Sequence, residues 1–324
     1  MIKPNPLKDG DGKQRVSSKK VVSNPHLVLE VSRLLNERSM DMKLRIRAVS
    51  LCLSVLFLCL IACLGIASGQ GPVKKPVATP STKSRDIQVV IIVDNYPYKE
   101  GVDTEHGFSC LVTGTEKTIL FDTGPSDRTL LNNMKKLEIK PEEVQLVVLS
   151  HEHFDHTRGL QGFLEKNHNV TVYLLESFQK AFEEQVTASG AKVVKVRDSL
   201  EICDGVYSIV VGDEQALLIH SDKGGVLIAG CAHPGIVNMI RKAKEVTKGD
   251  ILAAMGGFHL QGNFGEVSTS EIETTVSSFK DLGVRYVGAT HCSGNEARRL
   301  FKENYKEHYL DLGTGKVLMV KELK

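Results

Sequence analysis

Apolar residues recur in short runs from Ile87 onward, and the spacing within each run names the element it forms. Ile87 to Val93, Phe108 to Thr113 and Lys117 to Phe121 are β-branched and aromatic segments separated by Gly and Asp, which predicts three strands. Asp127 to Glu138 instead sets Leu130, Leu131, Met134 and Leu137 on one helical stripe. Gln145 to Leu149 is a continuous apolar run, the pattern of a strand covered on both faces. Further strands are predicted at Val170 to Leu174, Lys192 to Val196, Val206 to Val211, Ala216 to His220, Val226 to Ala229, Ile251 to Ala254 and Val284 to Gly288. Helices are predicted after Asp155, after Pro234, at Thr269 to Leu282 and at Glu296 to Asn304. This alternation gives a layered α/β domain over residues 87–324, with several strands in hairpins.

Upstream the pattern is different in kind. Residues 1–46 are polar, basic and without sustained periodicity, which predicts a disordered cytoplasmic tail. Ala48 to Ala67 is uncharged and apolar over a length that can cross a bilayer as a helix, so residues 47–69 are expected to be a transmembrane anchor or a signal peptide. Lys43, Arg45 and Arg47 just before it place the N-terminus in the cytoplasm and the folded domain on the non-cytoplasmic side. Cleavage next to Cys63 or Ala67, and initiation at Met40 or Met42, are both compatible with this reading. Residues 70–86, rich in Pro, Ser, Thr and Lys, have the composition of a linker.

The net charge of +2 conceals this asymmetry: the basic residues concentrate before Ala48 and the remainder is slightly acidic. The folded part is therefore not expected to bind nucleic acid. Of the seven cysteines, Cys110, Cys203, Cys231 and Cys292 fall in the domain, too widely spaced for a disulfide scaffold. Cys231 and Cys292 each stand within two residues of a histidine, where a role near a metal competes with a disulfide.

The chemistry concentrates after the buried run that ends at Leu149. His151-Glu152-His153-Phe154-Asp155-His156 follows directly, at the rim of a sheet, where α/β proteins build their sites. His151 and His153 alternate toward one ion, while Asp155 and His156 are displaced along the chain toward a second. Two cations about 3.5–4 Å apart can activate a hydroxide between them and clamp both oxygens of a group being hydrolysed. Three more histidines, His233, His259 and His291, stand at predicted strand ends beside glycines.

Ser150 to His156 resembles the H-x-H-x-D-H signature of the metallo-β-lactamase superfamily, and Phe121-Asp122-Thr123-Gly124 resembles its upstream aspartate motif. Together with Gly230-Cys231-Ala232-His233-Pro234-Gly235, Gly256-Gly257-Phe258-His259 and Thr290-His291-Cys292, the chain is similar to the dihydropterin synthase-like branch over residues 87–324. The resemblance implies a four-layer αββα sandwich. It implies that His151, His153 and His233 hold one metal and that Asp155, His156 and His291 hold the other, with Asp122 orienting a ligand histidine. Cys231 occupies the place of the usual bridging aspartate, so either it is a ligand itself or His233 takes over while Cys231 packs nearby. His259 is left for substrate or proton transfer.

The expected function is a metallohydrolase whose two divalent metal ions, zinc first and manganese or iron as alternatives, activate hydroxide against a phosphate or ester. Asp155 would also shuttle a proton. The partners expected are an anionic small molecule, helped by the helix N-terminus after Pro234 and by Arg128 or Arg158, and a membrane. A pterin-diphosphate transferase, a non-catalytic tethered binding module and an antibiotic-type lactamase are the rival readings.

Overall fold

The computed structural model of the protein describes residues 86–261 and 267–324. Among these residues the strands form two mixed sheets. In chain order they are β1 (Gln88–Val93), β2 (Ser109–Thr113), β3 (Ile119–Phe121), β4 (Leu146–Val148), β5 (Thr171–Leu175), β6 (Lys192–Val196), β7 (Leu200–Cys203), β8 (Val206–Val211), β9 (Glu214–Ser221), β10 (Gly224–Ala229), β11 (Ile251–Gly257), β12 (Tyr286–Thr290) and β13 (Val317–Met319). One sheet runs β13-β1-β2-β3-β4-β5-β6 and the other β12-β11-β10-β9-β8-β7. The β3-β4-β5-β6 and β10-β11-β12 portions are parallel, and the remaining pairs are antiparallel hairpins or edges.

The continuous apolar runs are explained by burial on both faces. Val89, Ile91 and Val148 join Leu217, Val226, Ile228 and Met255 in the core between the sheets. Their strand neighbours Val90, Ile92, Val147 and Leu149 turn to the opposite side, against Leu130, Met134 and Phe163. Leu227, Ala229 and Ala254 likewise turn outward against Met239, Ile240 and Phe279. Each strand thus feeds two cores with alternate residues. Helices α1 (Asp127–Lys136), α2 (Phe154–Thr157), α3 (Leu160–Lys166) and α4 (Lys180–Ala188) belong with the first sheet by sequence, and α5 (Ile236–Thr247), α6 (Thr269–Asp281) and α7 (Asn295–Tyr305) with the second. The layers are therefore helix, sheet, sheet, helix. Truncating a side chain at the central interface, such as Ile228→Ala, costs about 2–5 kcal/mol through lost contacts and the cavity left.

The apolar periodicity did not reveal β7, β13 or α4. The first two are short edge strands only partly buried, and α4 buries Val186 alone, so its stripe is too narrow to register. The apolar segment at 48–67, the tail and nearly all of the linker lie outside the described residues. Among the described residues no helix is long and apolar enough to cross a membrane.

Candidate metal centre

Four strand ends converge on one cleft. Strand β4 delivers the 150–156 loop from the first sheet, and β10, β11 and β12 deliver Cys231 and His233, His259, and His291 from the parallel half of the second. Ligand sites in open α/β sheets sit at the carboxyl ends of parallel strands, because the helix-bound turns there leave a crevice. The approach is close. A Cβ added at Gly230 would lie 2.2 Å from Ser150 Oγ and 3.0 Å from Asp122 Oδ2, so only glycine lets β10 end against β3 and β4.

His151, His153 and His233 meet as one donor group, with ring centroids 4.4–4.9 Å apart. Ser150 Oγ lies 2.8 Å from His151 Nδ1, which leaves His151 Nε2 buried and without a hydrogen-bond partner. An orphaned buried imidazole nitrogen is costly unless something absent from the chain takes it. Burial and the neighbouring His156 push the His151 pKa down to about 2, so the ring is neutral and offers a lone pair.

The second group joins Asp155, His156 and His291 with Cys231. Asp155 Oδ2 lies 3.5 Å from His156 Nε2 and 3.4 Å from His291 Nε2, and Cys231 Sγ lies 3.2 Å and 3.4 Å from the same two nitrogens. Tetrahedral coordination with metal bonds of about 2.0–2.3 Å has ligand–ligand edges of about 3.3–3.8 Å, so these donors already stand close to coordinating distance. Cys231 and His233 therefore fall in different donor groups. The turn between them sends the thiol to one group and the imidazole to the other. Burial alone would lower the His156 pKa, but the Asp122 and Asp155 carboxylates outweigh it and push it up to about 10. Burial alone would raise the Asp155 carboxyl, but the His156 and His291 rings outweigh it and hold the group below its ordinary range. A cation bound at His156 would compete with a proton for this ring.

The rings of His156, His233 and His291 are oriented from behind. Asp122, fully buried with φ 56°, accepts from Ser150 N and Ser150 Oγ at 2.7 and 2.8 Å and sits 2.7 Å from His156 Nδ1. Glu214 accepts from the backbone N–H groups of Cys231, Ala232 and His233 at 2.9, 2.6 and 2.8 Å and lies 3.0 Å from His233 Nδ1. One carboxylate thereby folds the 231–233 turn, in which Ala232 has φ 59°, and fixes its histidine. Asn95 Oδ1 lies 3.0 Å from His291 Nδ1, and the buried Asp94 accepts from Thr290 Oγ1. His106 Nε2 stands 3.4 Å from Asp155 Oδ2. Glu214, Asn95, Asp94 and His106 carry no local motif, since their positions are set by where the sheets cross.

His259, at φ 49°, sits with its ring centroid 4.4 Å from that of His233, and its side chain groups with Cys231 and Cys292. All four described cysteines are free thiols. Arg128 is exposed, and Arg158 covers the ring of Phe154, itself 54% exposed, at 4.8 Å. A hollow of about 440 Å³ lined by Asn95, His106, Phe154, Asp155, His259 and Gln261 opens on one flank of the donors. Another, of about 580 Å³ and including Ser177, Asp213 and Pro234, opens beside His151 and His233.

Residues 102–237 match a family described as the metallo-beta-lactamase superfamily. The chain is 28% identical over 290 residues to 7,8-dihydropterin-6-methyl-4-(beta-D-ribofuranosyl)-aminobenzene-5'-phosphate synthase of Methanocaldococcus jannaschii, covering 73% of this chain and 97% of that protein. It is 30% identical to an uncharacterised protein of the same organism, over 64% of this chain and 91% of the relative. Among solved structures, a metal-dependent hydrolase of the beta-lactamase superfamily superposes with a TM-score of 0.59 at 28% identity, covering 72% of this chain and 98% of that one. A metallo-beta-lactamase fold protein of Bacillus subtilis, 15% identical with a TM-score of 0.52 over 72% of this chain and 98% of that one, shares the fold.

Proposed function

Because this chain belongs to the metallo-beta-lactamase superfamily, we propose that it is a metal-dependent hydrolase acting on a phosphate, an ester or a related electrophile of a small anionic molecule. The observation that carries this reading is the adjacency of the two donor groups, whose His151 and His156 rings lie 4.3 Å apart in one cleft. His151, His153 and His233 are the proposed ligands of one divalent cation, and Asp155, His156, Cys231 and His291 of the other. When bound, such cations would lower the pKa of a coordinated water and polarise the group under attack. Mixed imidazole, carboxylate and thiolate donors suit zinc, with manganese or iron as alternatives.

The chain's own residues then position and move protons. Asp155 Oδ2 faces His156, His291 and the 64% exposed His106, so a proton collected at Asp155 has an outlet to the cleft mouth. Pro234 lines the flank beside His151, and α5 begins at Ile236, after Gly235, without a side-chain cap. Its unpaired N–H groups suit the anionic part of a substrate. With residues 48–67 read as a membrane segment, this chemistry takes place on the non-cytoplasmic side.

The test is a His153→Ala protein, shown to be folded by its circular dichroism, assayed on phosphodiesters, phosphomonoesters and lactones with its metal content measured. Turnover and metal content should both fall, and the proposal fails if both stay at the wild-type level. A transfer reaction is the second reading, supported by the similarity to the synthase over 97% of that protein. Turnover in heavy-oxygen water separates the two, since hydrolysis places solvent oxygen in a product and transfer to an acceptor does not.

A further inference from the structure

The donor set of the cleft does not end with the two groups described. Cys231, His259 and Cys292 form a third, with one ligand atom from each lying within 4.8 Å of the others. It is built by the ends of three neighbouring parallel strands, β10, β11 and β12. The Cys292 sulfur lies 3.7 Å from the Cys231 carbonyl oxygen, and a Cβ at Gly257 would come within 2.7 Å of it, so the bare backbone of β11 is what admits the thiol. His259 is held at φ 49°, a conformation that a histidine adopts only at some cost, with its ring turned into the cleft.

A second observation points to a ligand here. Among the described residues, His151 Nε2 and His259 Nδ1 are the buried side-chain nitrogens without a hydrogen-bond partner. The first belongs to the all-imidazole donor group. The second belongs to the ring beside Cys292. A disulfide between Cys231 and Cys292 would leave that imidazole unsatisfied, whereas a cation could use all three side chains.

We propose that Cys231, His259 and Cys292 form a third cation position that takes a soft divalent ion such as zinc, with the Cys231 thiolate shared between it and the Asp155, His156 and His291 group. The position rests on reading the cleft as a metal centre, but it has its own ligands in His259 and Cys292. Two thiolates and one imidazole select against hard ions, so magnesium and calcium are not expected to fill it.

The experiment uses the full chain, kept reduced with a phosphine, stripped of metal and titrated with cobalt(II). Bound equivalents are read by equilibrium dialysis, and cobalt–thiolate bonds by their near-ultraviolet charge-transfer absorption. The wild type should bind three equivalents, and Cys292→Ser and His259→Ala should each bind two. Cys292→Ser should also lose more than half of the charge-transfer intensity. The proposal is overturned if both variants, folded by circular dichroism, keep the wild-type stoichiometry and absorption, or if the wild type stops at two equivalents. It is also overturned if His259→Ala loses turnover while keeping every cobalt equivalent, which would make His259 a proton-transfer group. His153→Ala distinguishes the readings. If it changes nothing while Cys292→Ser still removes one equivalent, the two-cation function fails and the third position stands.

Discussion

Asp122 Oδ2 lies 2.7 Å from His156 Nδ1, with both side chains fully buried. The contact fixes which nitrogen of His156 is left for the cleft, and Asp122 is itself fixed by the N–H and hydroxyl of Ser150. Asp122→Asn keeps the shape but removes the charge behind the ring. Cation affinity at the second position should fall about 10–100-fold, with little change at the first. Competition against a chromophoric chelator measures this directly, and equal losses at both positions would contradict the assignment of Asp122 to His156.

Cys231 makes the second group softer than a carboxylate in its place would. Its sulfur lies 3.2 Å from His156 Nε2 and 3.4 Å from His291 Nε2. Cys231→Asp should therefore shift preference from zinc toward manganese, because a hard oxygen replaces a soft sulfur among otherwise unchanged donors. Metal content after growth or refolding with both ions in equal supply reads the ratio, and an unchanged ratio would place Cys231 outside the coordination sphere.

The parts legible in the sequence are those set locally. Residues 146–149 show burial on both faces because each alternate side chain enters a different core, and the histidines stand out because each follows such a strand. What stayed hidden depends on tertiary crossing. Glu214 lies more than fifteen residues before the turn it caps, and Asn95 is separated from His291 by most of the domain. Neither has a neighbouring signal, since the partner is supplied by another strand. The division between Cys231 and His233 stayed hidden for the same reason: alternate residues of one turn fall in two groups, a distinction visible only once Glu214 has bent the backbone.

Glu214 also predicts a pH dependence. Burial alone would raise its pKa, but the hydrogen bond to the His233 ring, the neighbouring His151 and the N–H groups of Ala232 and His233 outweigh that and hold it at about 2, against 4.5 for an ordinary glutamate. A depressed folded-state pKa contributes stability that is complete above the unfolded value and is lost as pH falls from about 4.5 toward about 2. Metal-free Glu214→Gln should be less stable than the wild type by about 1–3 kcal/mol near neutrality, since the amide places donors against N–H groups. Urea unfolding of both proteins across the acid range should show the gap closing through that window. A gap that stays constant would mean that Glu214 acts by shape and not by charge.

Gly230 offers the sharpest steric prediction. The Cβ of an alanine would meet Ser150 Oγ at 2.2 Å and Asp122 Oδ2 at 3.0 Å, both buried and both engaged in the network behind His151 and His156. The collision cannot be relieved by rotating an exposed side chain. Either β10 moves away, displacing Cys231 and His233, or Ser150 turns and releases Asp122. Overpacking of this kind costs about 1–3 kcal/mol, within the margin of an ordinary domain. Gly230→Ala should therefore remain folded but lose affinity at both cation positions together, unlike Asp122→Asn. Thermal unfolding with and without added zinc tests this, because the variant's metal-dependent rise in melting temperature should shrink far more than its metal-free melting temperature falls. A full metal-dependent rise would show that the close approach of β10 to β3 and β4 is not what assembles the centre.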